Sequence, residues 1–169
     1  MILSVSRRTD IPSFYSEWFM NRIEDGYVYV RNPFNYNQIS KIDIKPDKVD
    51  CIVFWTKDPK PLLNRLKELD HKGYKYYFQY TITPYNEDLE ANVINKKNII
   101  NTFMELSEMI GKEKVILRYD PIIITDKYNE NFHLKAFNKL WMYVNSVDIF
   151  SRTNHEIFLA RSSHLCGEI

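Results

Sequence analysis

The chain has 169 residues, 44% of them hydrophobic and 27% charged, which is typical of one globular domain long enough to bury a core. The 23 Lys and Arg nearly balance the 22 Asp and Glu, so the net charge of +1 argues against nucleic acid as a partner, although a local basic patch stays open. No apolar run is long enough to cross a membrane, and two cysteines in unrelated contexts predict neither a disulfide framework nor a metal site. We therefore predict a cytoplasmic protein.

The N-terminal stretch predicts a strand followed by a helix. Residues 2–6 form the strand, and Pro12 follows the charged segment at its end, because proline suits the first turn of a helix but cannot donate to a sheet. Apolar side chains then recur every three or four residues up to Gly26, which is a natural helix end. Asp10 is placed to cap this helix.

The rest of the chain continues the alternation of strands and helices. A strand at 27–31 ends at Asn32-Pro33, and the polar–apolar alternation over 38–44 predicts a short edge strand or hairpin on the rim of a barrel. Three further units follow: a strand at 49–55 with a helix ending at Gly73, a strand at 74–83 with a helix over 99–110, and a strand from 115 to 118 with a helix over 129–144.

This order of elements predicts an α/β fold with a mostly parallel sheet. An open doubly wound sheet and a (β/α) barrel both fit, but no glycine-rich phosphate loop follows any strand, which favours the barrel. A complete barrel has eight strands and about 250 residues, so about five strands predict a partial barrel that does not close. Residues 1–144 are assigned to this N-terminal part of a barrel, and 145–169, where the periodicity fades, to an atypical, poorly ordered or non-native tail. The open sheet edges predict self-association.

The ends of the predicted strands share a pattern. Five prolines stand just past them, after a short polar segment: Pro12, Pro33, Pro59, Pro84 and Pro121. Because the carboxyl ends of parallel strands form the functional face of such folds, we predict a rim there that binds a phosphate or carboxylate on a small ligand. The candidate ligand-binding residues of this rim are Arg7, Arg8, Asp10, Arg31, Asn32, Lys57, Gln79, Thr81, Arg118, Tyr119 and Asp120.

Each of these residues also has a structural interpretation. Arg118 and Asp120 stand two apart on an extended chain and project to the same side, so they can neutralise each other, and Asp10 can serve as a helix cap alone. His133, on an amphipathic helix, is expected at the surface. Residues 74–80 mix aromatic side chains with a lysine, as single-strand nucleic-acid binders do, but a buried core strand is the favoured interpretation. The catalytic residues, if a reaction occurs, are not identified.

Taken together, the strand-end motifs resemble an uncharacterised microbial family, domain-of-unknown-function family eighteen-forty-eight. The motifs, in order, are Ser6-Arg7-Arg8-Thr9-Asp10-Ile11-Pro12, Val30-Arg31-Asn32-Pro33, Phe54-Trp55-Thr56-Lys57-Asp58-Pro59, Phe78-Gln79-Tyr80-Thr81-Ile82-Thr83-Pro84-Tyr85 and Arg118-Tyr119-Asp120-Pro121-Ile122. The resemblance covers roughly Met1 to Leu140. It implies a (β/α) barrel and, for full-length relatives, a C-terminal cysteine-rich segment similar to the three-cysteine iron–sulfur motif of radical-SAM enzymes, with S-adenosylmethionine as a possible second cofactor.

The tail departs from that family pattern. From about Trp141 the resemblance ends, and Cys166 stands alone, so no cofactor is expected in this chain and a truncated or frame-shifted product is the favoured explanation. Two hypotheses follow. In the first, the chain is the N-terminal portion of an iron–sulfur barrel enzyme, inactive alone. In the second, it is a non-catalytic module for a small ligand or nucleic acid, working as a dimer that covers its open sheet edges.

Overall fold

The computed structural model describes residues 1–5, 9–93 and 95–145. Its elements are β1 (Ile2–Val5), α1 (Ile11–Phe14), α2 (Ser16–Asp25), β2 (Tyr27–Arg31), β3 (Ile39–Asp43), β4 (Cys51–Thr56), α3 (Lys60–Leu63), α4 (Leu66–His71), β5 (Tyr76–Thr81), α5 (Lys96–Ile110), β6 (Val115–Arg118) and α6 (Glu130–Asn145). Each predicted strand is present, and the predicted helices that end near Gly26 and Gly73 are each divided in two. Most of the predicted tail, 146–169, lies outside the described residues.

The main sheet contains β1, β4, β5 and β6 in that order, with every neighbouring pair parallel. Helices connect successive strands of this sheet, as parallel pairing requires. The α/β class is therefore confirmed. Within the described residues, however, the sheet is open and has four parallel strands, not the five of the predicted partial barrel.

The strand predicted at 27–31 is present but does not belong to the parallel sheet. β2 pairs antiparallel with β3 as a separate two-stranded sheet, which confirms the hairpin predicted around 38–44. The connection of seven residues between β2 and β3 accounts for their antiparallel pairing, because a parallel pair needs a crossover of a dozen or more residues.

The core lies on one face of the main sheet. The register places Val5, Phe54 and Phe78 side by side on this face, and all three are buried among apolar side chains of α2, α3, α4 and α5. On β5, Tyr76 and Tyr80 point the same way and are buried, so the core interpretation of residues 74–80 is confirmed. None of the described helices combines the length and hydropathy that a membrane-spanning segment needs.

The opposite face of the sheet is only partly covered. Alternate residues of β4, β5 and β6 bring Trp55, Gln79, Thr81 and Arg118 to this face, where each is half-buried. These residues stand at the carboxyl ends of their strands, so the open face and the predicted functional end of the sheet meet in one place.

Candidate functional site

The carboxyl ends of β4, β5 and β6 form one edge of the sheet, which we call the carboxyl edge. Of the predicted rim residues, the structure places seven at or beside this edge: Asp10, Lys57, Gln79, Thr81, Arg118, Tyr119 and Asp120. Arg31 and Asn32 lie instead at the end of β2 in the separate hairpin, because that strand is not part of the parallel sheet. Arg7 and Arg8 lie outside the described residues.

Asp10 joins the first helix to the end of β4. Its carboxylate accepts the backbone N–H of Ser13 at 3.0 Å, which confirms the predicted cap of α1. Oδ2 also accepts the backbone N–H of Lys57 at 2.8 Å, and the Thr56 hydroxyl donates to both oxygens at 2.8 and 2.9 Å. Burial raises the pKa of Asp10, although these hydrogen bonds favour the ionised form. The acceptors of this carboxylate are therefore occupied within the protein.

The substitution Asp10→Ala is expected to lower the free energy of unfolding by about 2 kcal/mol. It removes the cap of α1 and leaves the Lys57 N–H without its acceptor. Urea denaturation measures the change, with Asp126→Ala as the control because Asp126 is exposed. A loss no larger than that of the control would contradict the structural role of Asp10.

Glu90 is a central residue of this edge that the sequence analysis missed. It lies in the loop between β5 and α5 with its side chain 12% exposed, and it forms an ion pair with Lys57. Its Oε2 accepts the Thr83 hydroxyl at 2.5 Å and the Lys96 ammonium at 2.7 Å. Burial alone would raise the pKa of Glu90, but the bonds from the two lysines and Thr83 lower it to about 2.

This ion pair changes the interpretation of Lys57. The sequence predicts that Lys57 contacts the anion of a ligand, whereas the anion it contacts in the structure is the chain's own Glu90. Glu90 could not be singled out from its neighbours, because Glu87 and Asp88 stand in the same polar loop with the same local character. The signal that distinguishes it is contact with Lys57, which lies 33 positions earlier in the chain.

Arg118 reaches across the open face of the sheet. Its guanidinium carbon lies 4.4 Å from the centre of the Trp55 ring, a cation–π contact. Arg118 belongs to β6 and Trp55 to β4, so the side chain passes over the intervening strand β5. Thr81 pairs directly with Arg118 and Gln79 with Trp55, which places these two polar residues on the same face beneath the arginine's path.

Among the described residues, the guanidinium of Arg118 makes a hydrogen bond with only part of its N–H donors. Its Nη2 pairs with Asp120, as the spacing of two residues predicts. An arginine carries five N–H donors, and within the described residues no hydrogen-bond acceptor other than Asp120 contacts this one. The side chain is 26% exposed. Arg118 is therefore held in position by Trp55 and Asp120, while its other donors make no hydrogen bond among the described residues.

Tyr119 is tied to the helix that follows β6. Its hydroxyl lies 3.0 Å from Nδ1 of His133, and Nε2 of His133 donates to the carbonyl of Ile123 at 3.1 Å. Burial raises the pKa of Tyr119 to about 12, which keeps the phenol neutral. His133 is 7% exposed, so the prediction that it lies at the surface is wrong. His133 precedes the buried Leu140 and Val144 by seven and eleven residues, so it lies on the inward face of α6, where its ring contacts Tyr85 and Tyr119.

A surface cavity of about 480 Å³ lies beside Glu90. It is lined by Tyr85, Asn86, Glu87, Asp88, Glu90, Val93, Asn95, Lys96 and Lys127. Lys127 donates to Asp88 at 2.7 Å, so its charge is paired, like that of Lys96. Because the walls carry both signs of charge in paired form, this cavity does not extend the predicted anion site.

The described residues contain no group of three or more His, Cys, Asp or Glu side chains arranged to hold a metal ion. Cys51 begins β4 and therefore stands at the end of the strand opposite to the carboxyl edge. The chain has only two cysteines, and Cys166 lies outside the described residues. The residues present do not fit a cluster held by three thiolates, so no chemistry is assigned to one here.

Comparison with known proteins gives one match. A family model described as a domain of unknown function, DUF1848, matches residues 2–152 and so extends beyond Leu140, where the motif resemblance ends. No curated protein and no solved structure matches the chain. The match spans most of the sequence and all the strand-end motifs, and the chain therefore belongs to the DUF1848 family.

Proposed function

We propose that the carboxyl edge binds the anionic group of a small ligand and that Arg118 is the residue that contacts it. The observation that carries the proposal is the placement of its guanidinium over Trp55, with one nitrogen paired to Asp120 and the other donors without an acceptor among the described residues. A planar guanidinium with parallel free donors matches a carboxylate or phosphate bidentately.

The neighbours of Arg118 support this role. Trp55 holds the guanidinium plane without consuming a donor, because the contact is with the face of the ring. Gln79 and Thr81 lie on the same half-buried face and can donate neutral hydrogen bonds to the rest of the ligand. Asp120 orients the arginine by accepting a hydrogen bond from Nη2, which leaves the other N–H groups of the guanidinium for a ligand.

In this proposal the described sheet forms part of a (β/α) barrel, and the open face becomes a wall of its interior. The iron–sulfur chemistry that the resemblance implies for longer relatives would need thiolates that this chain does not supply. The proposal therefore concerns the binding of the anion, a step that an enzyme and a non-catalytic binding module share.

The test is a comparison of anion binding by the wild type, Arg118→Ala and Arg118→Lys. Inorganic phosphate and succinate are the probes, and the shift in melting temperature together with calorimetric titration is the measurement. Arg118→Ala is expected to weaken binding about 10- to 100-fold, since charge-assisted hydrogen bonds are lost, and Arg118→Lys to retain part of the affinity.

The control for this test is Lys67→Ala, which removes an exposed cation from α4. It is expected to leave phosphate and succinate binding unchanged. If neither probe stabilises the wild type, or if Lys67→Ala weakens binding as much as Arg118→Ala, the assignment of Arg118 as the anion ligand is wrong.

A further inference from the structure

The hairpin of β2 and β3 carries a second surface, separate from the carboxyl edge. One face of the hairpin packs on the protein, since Val28 and Ile42 contact the core. The other face is turned to solvent and presents the alternate residues of the two strands. Its members, which we call the ribbon face, are Tyr27, Tyr29, Arg31, Ile39, Lys41 and Asp43.

Aromatic rings and cations alternate on the ribbon face. Tyr29 lies directly opposite Lys41, and the Lys41 ammonium lies 4.0 Å from the centre of the Tyr27 ring. The two tyrosine rings are 5.5 Å apart at an interplanar angle of 77°. Tyr29 is 60% exposed, so one side of its ring is open to a partner.

The loop of the hairpin extends this surface. Phe34 is 96% exposed and Tyr36 is 71% exposed. The loop is nevertheless ordered by its own hydrogen bonds, because the Asn32 side chain accepts the Phe34 N–H at 2.9 Å and donates to the Gln38 side chain at 2.7 Å. The loop therefore adds two exposed aromatic rings to the ribbon face, and such rings can stack on the flat faces of a partner.

The local charge indicates what that partner is. Residues 27–48 contain four basic and two acidic residues, whereas the remainder of the chain has 19 basic and 20 acidic residues. The excess positive charge is therefore concentrated in the hairpin and the turn that follows it. A partner with repeated negative charges and repeated flat rings matches this combination of tyrosines, Lys41 and Arg31.

We propose that the ribbon face binds single-stranded nucleic acid, with bases stacked on Tyr29 and Phe34 and the backbone phosphates near Lys41. Tyr29 and Arg31 are successive residues of β2 on the ribbon face, about 6.8 Å apart along the β-strand. Extended single-stranded nucleic acid can follow this spacing. Sequence readout is not part of the proposal, since stacking accepts every base.

Fluorescence anisotropy of the full chain with a fluorescein-labelled oligothymidylate and oligouridylate, each about 15 nucleotides long, tests the proposal. At about 50 mM salt the expected dissociation constant is about 1–100 µM, increasing with salt. Tyr29→Thr keeps strand propensity while removing the ring and is expected to weaken binding at least about fivefold, whereas Tyr29→Phe retains it. Lys41→Ala is expected to lower the slope of log affinity against log salt concentration by about one, which corresponds to one phosphate contact.

Phe14→Ala is the matched control, because Phe14 is a 73% exposed ring on α1. It is expected to bind both oligonucleotides as the wild type does. Absence of saturable binding to either oligonucleotide, or equal losses for Phe14→Ala and Tyr29→Thr, would overturn the proposal. So would sedimentation showing a dimer that Tyr29→Thr dissociates, because the ribbon face would then be an interface between copies of the chain.

Discussion

Replacing Phe54 by alanine is expected to lower the free energy of unfolding by about 3–5 kcal/mol, the largest effect of any substitution considered. Phe54 is fully buried in β4, with its ring 4.8 Å from Phe78, 5.4 Å from Phe19 and 6.1 Å from Tyr76, measured between centroids. Alanine would leave a cavity among these rings. Strand β5, which carries two of them, is fixed by its backbone pairing with β4, so the cavity cannot fully collapse.

Urea denaturation of the wild type and two further variants isolates this effect. Phe54→Leu keeps most of the volume and is expected to cost about 1–2 kcal/mol. Phe14→Ala removes an exposed ring and is expected to change stability by less than about 0.5 kcal/mol. A cost below about 1 kcal/mol for Phe54→Ala would mean that these rings do not form the core of the sheet.

The substitution Glu90→Ala is expected to cost about 2–3 kcal/mol at neutral pH, the second largest effect. The carboxylate is nearly buried and is the shared partner of Lys57, Lys96 and Thr83. Its removal leaves two ammonium groups side by side without a counter-charge. Because each lysine side chain is about one-third exposed, water offsets part of this cost, and the expected loss is below that of a fully buried pair.

The contribution of Glu90 is also expected to depend on pH. Its pKa is about 2 in the folded protein against a usual value of 4.5, so the folded state binds the proton less tightly than the unfolded state. The stabilisation is therefore complete above about pH 5 and is lost as the pH falls from about 5 to about 2. The free energies of unfolding of the wild type and Glu90→Gln should converge over this range.

The comparison with Glu90→Gln is needed because the protonation of Asp10 stabilises the folded state as the pH falls, whereas the protonation of Glu90 destabilises it. Burial raises the pKa of Asp10, so the folded state gains from its protonation as the pH falls. The difference between wild type and Glu90→Gln cancels this term, since Asp10 is present in both. A difference that stays constant between pH 5 and pH 2 would contradict the ion pairs assigned to Glu90.

The order of the elements could be predicted because it depends on local patterns. The continuous apolar run of β4 and the alternation around β3 are properties of neighbouring residues, and both predictions are confirmed. The Asp10 cap is equally local, since its acceptor and the Ser13 N–H are three residues apart. The pairing of Arg118 with Asp120 follows in the same way from the two-residue repeat of an extended chain.

The partners of a strand and of a loop carboxylate are not local, and only the tertiary structure decided them. β2 has the composition of a sheet strand, yet its pairing with β3 in a separate sheet keeps Arg31 away from the carboxyl edge. Glu90 becomes the partner of Lys57 through the path of a polar loop that no periodicity describes. By itself the sequence determined the family, the strands and their polar ends, whereas long-range packing determined which of those ends meet at the carboxyl edge and which charges are neutralised by the protein itself.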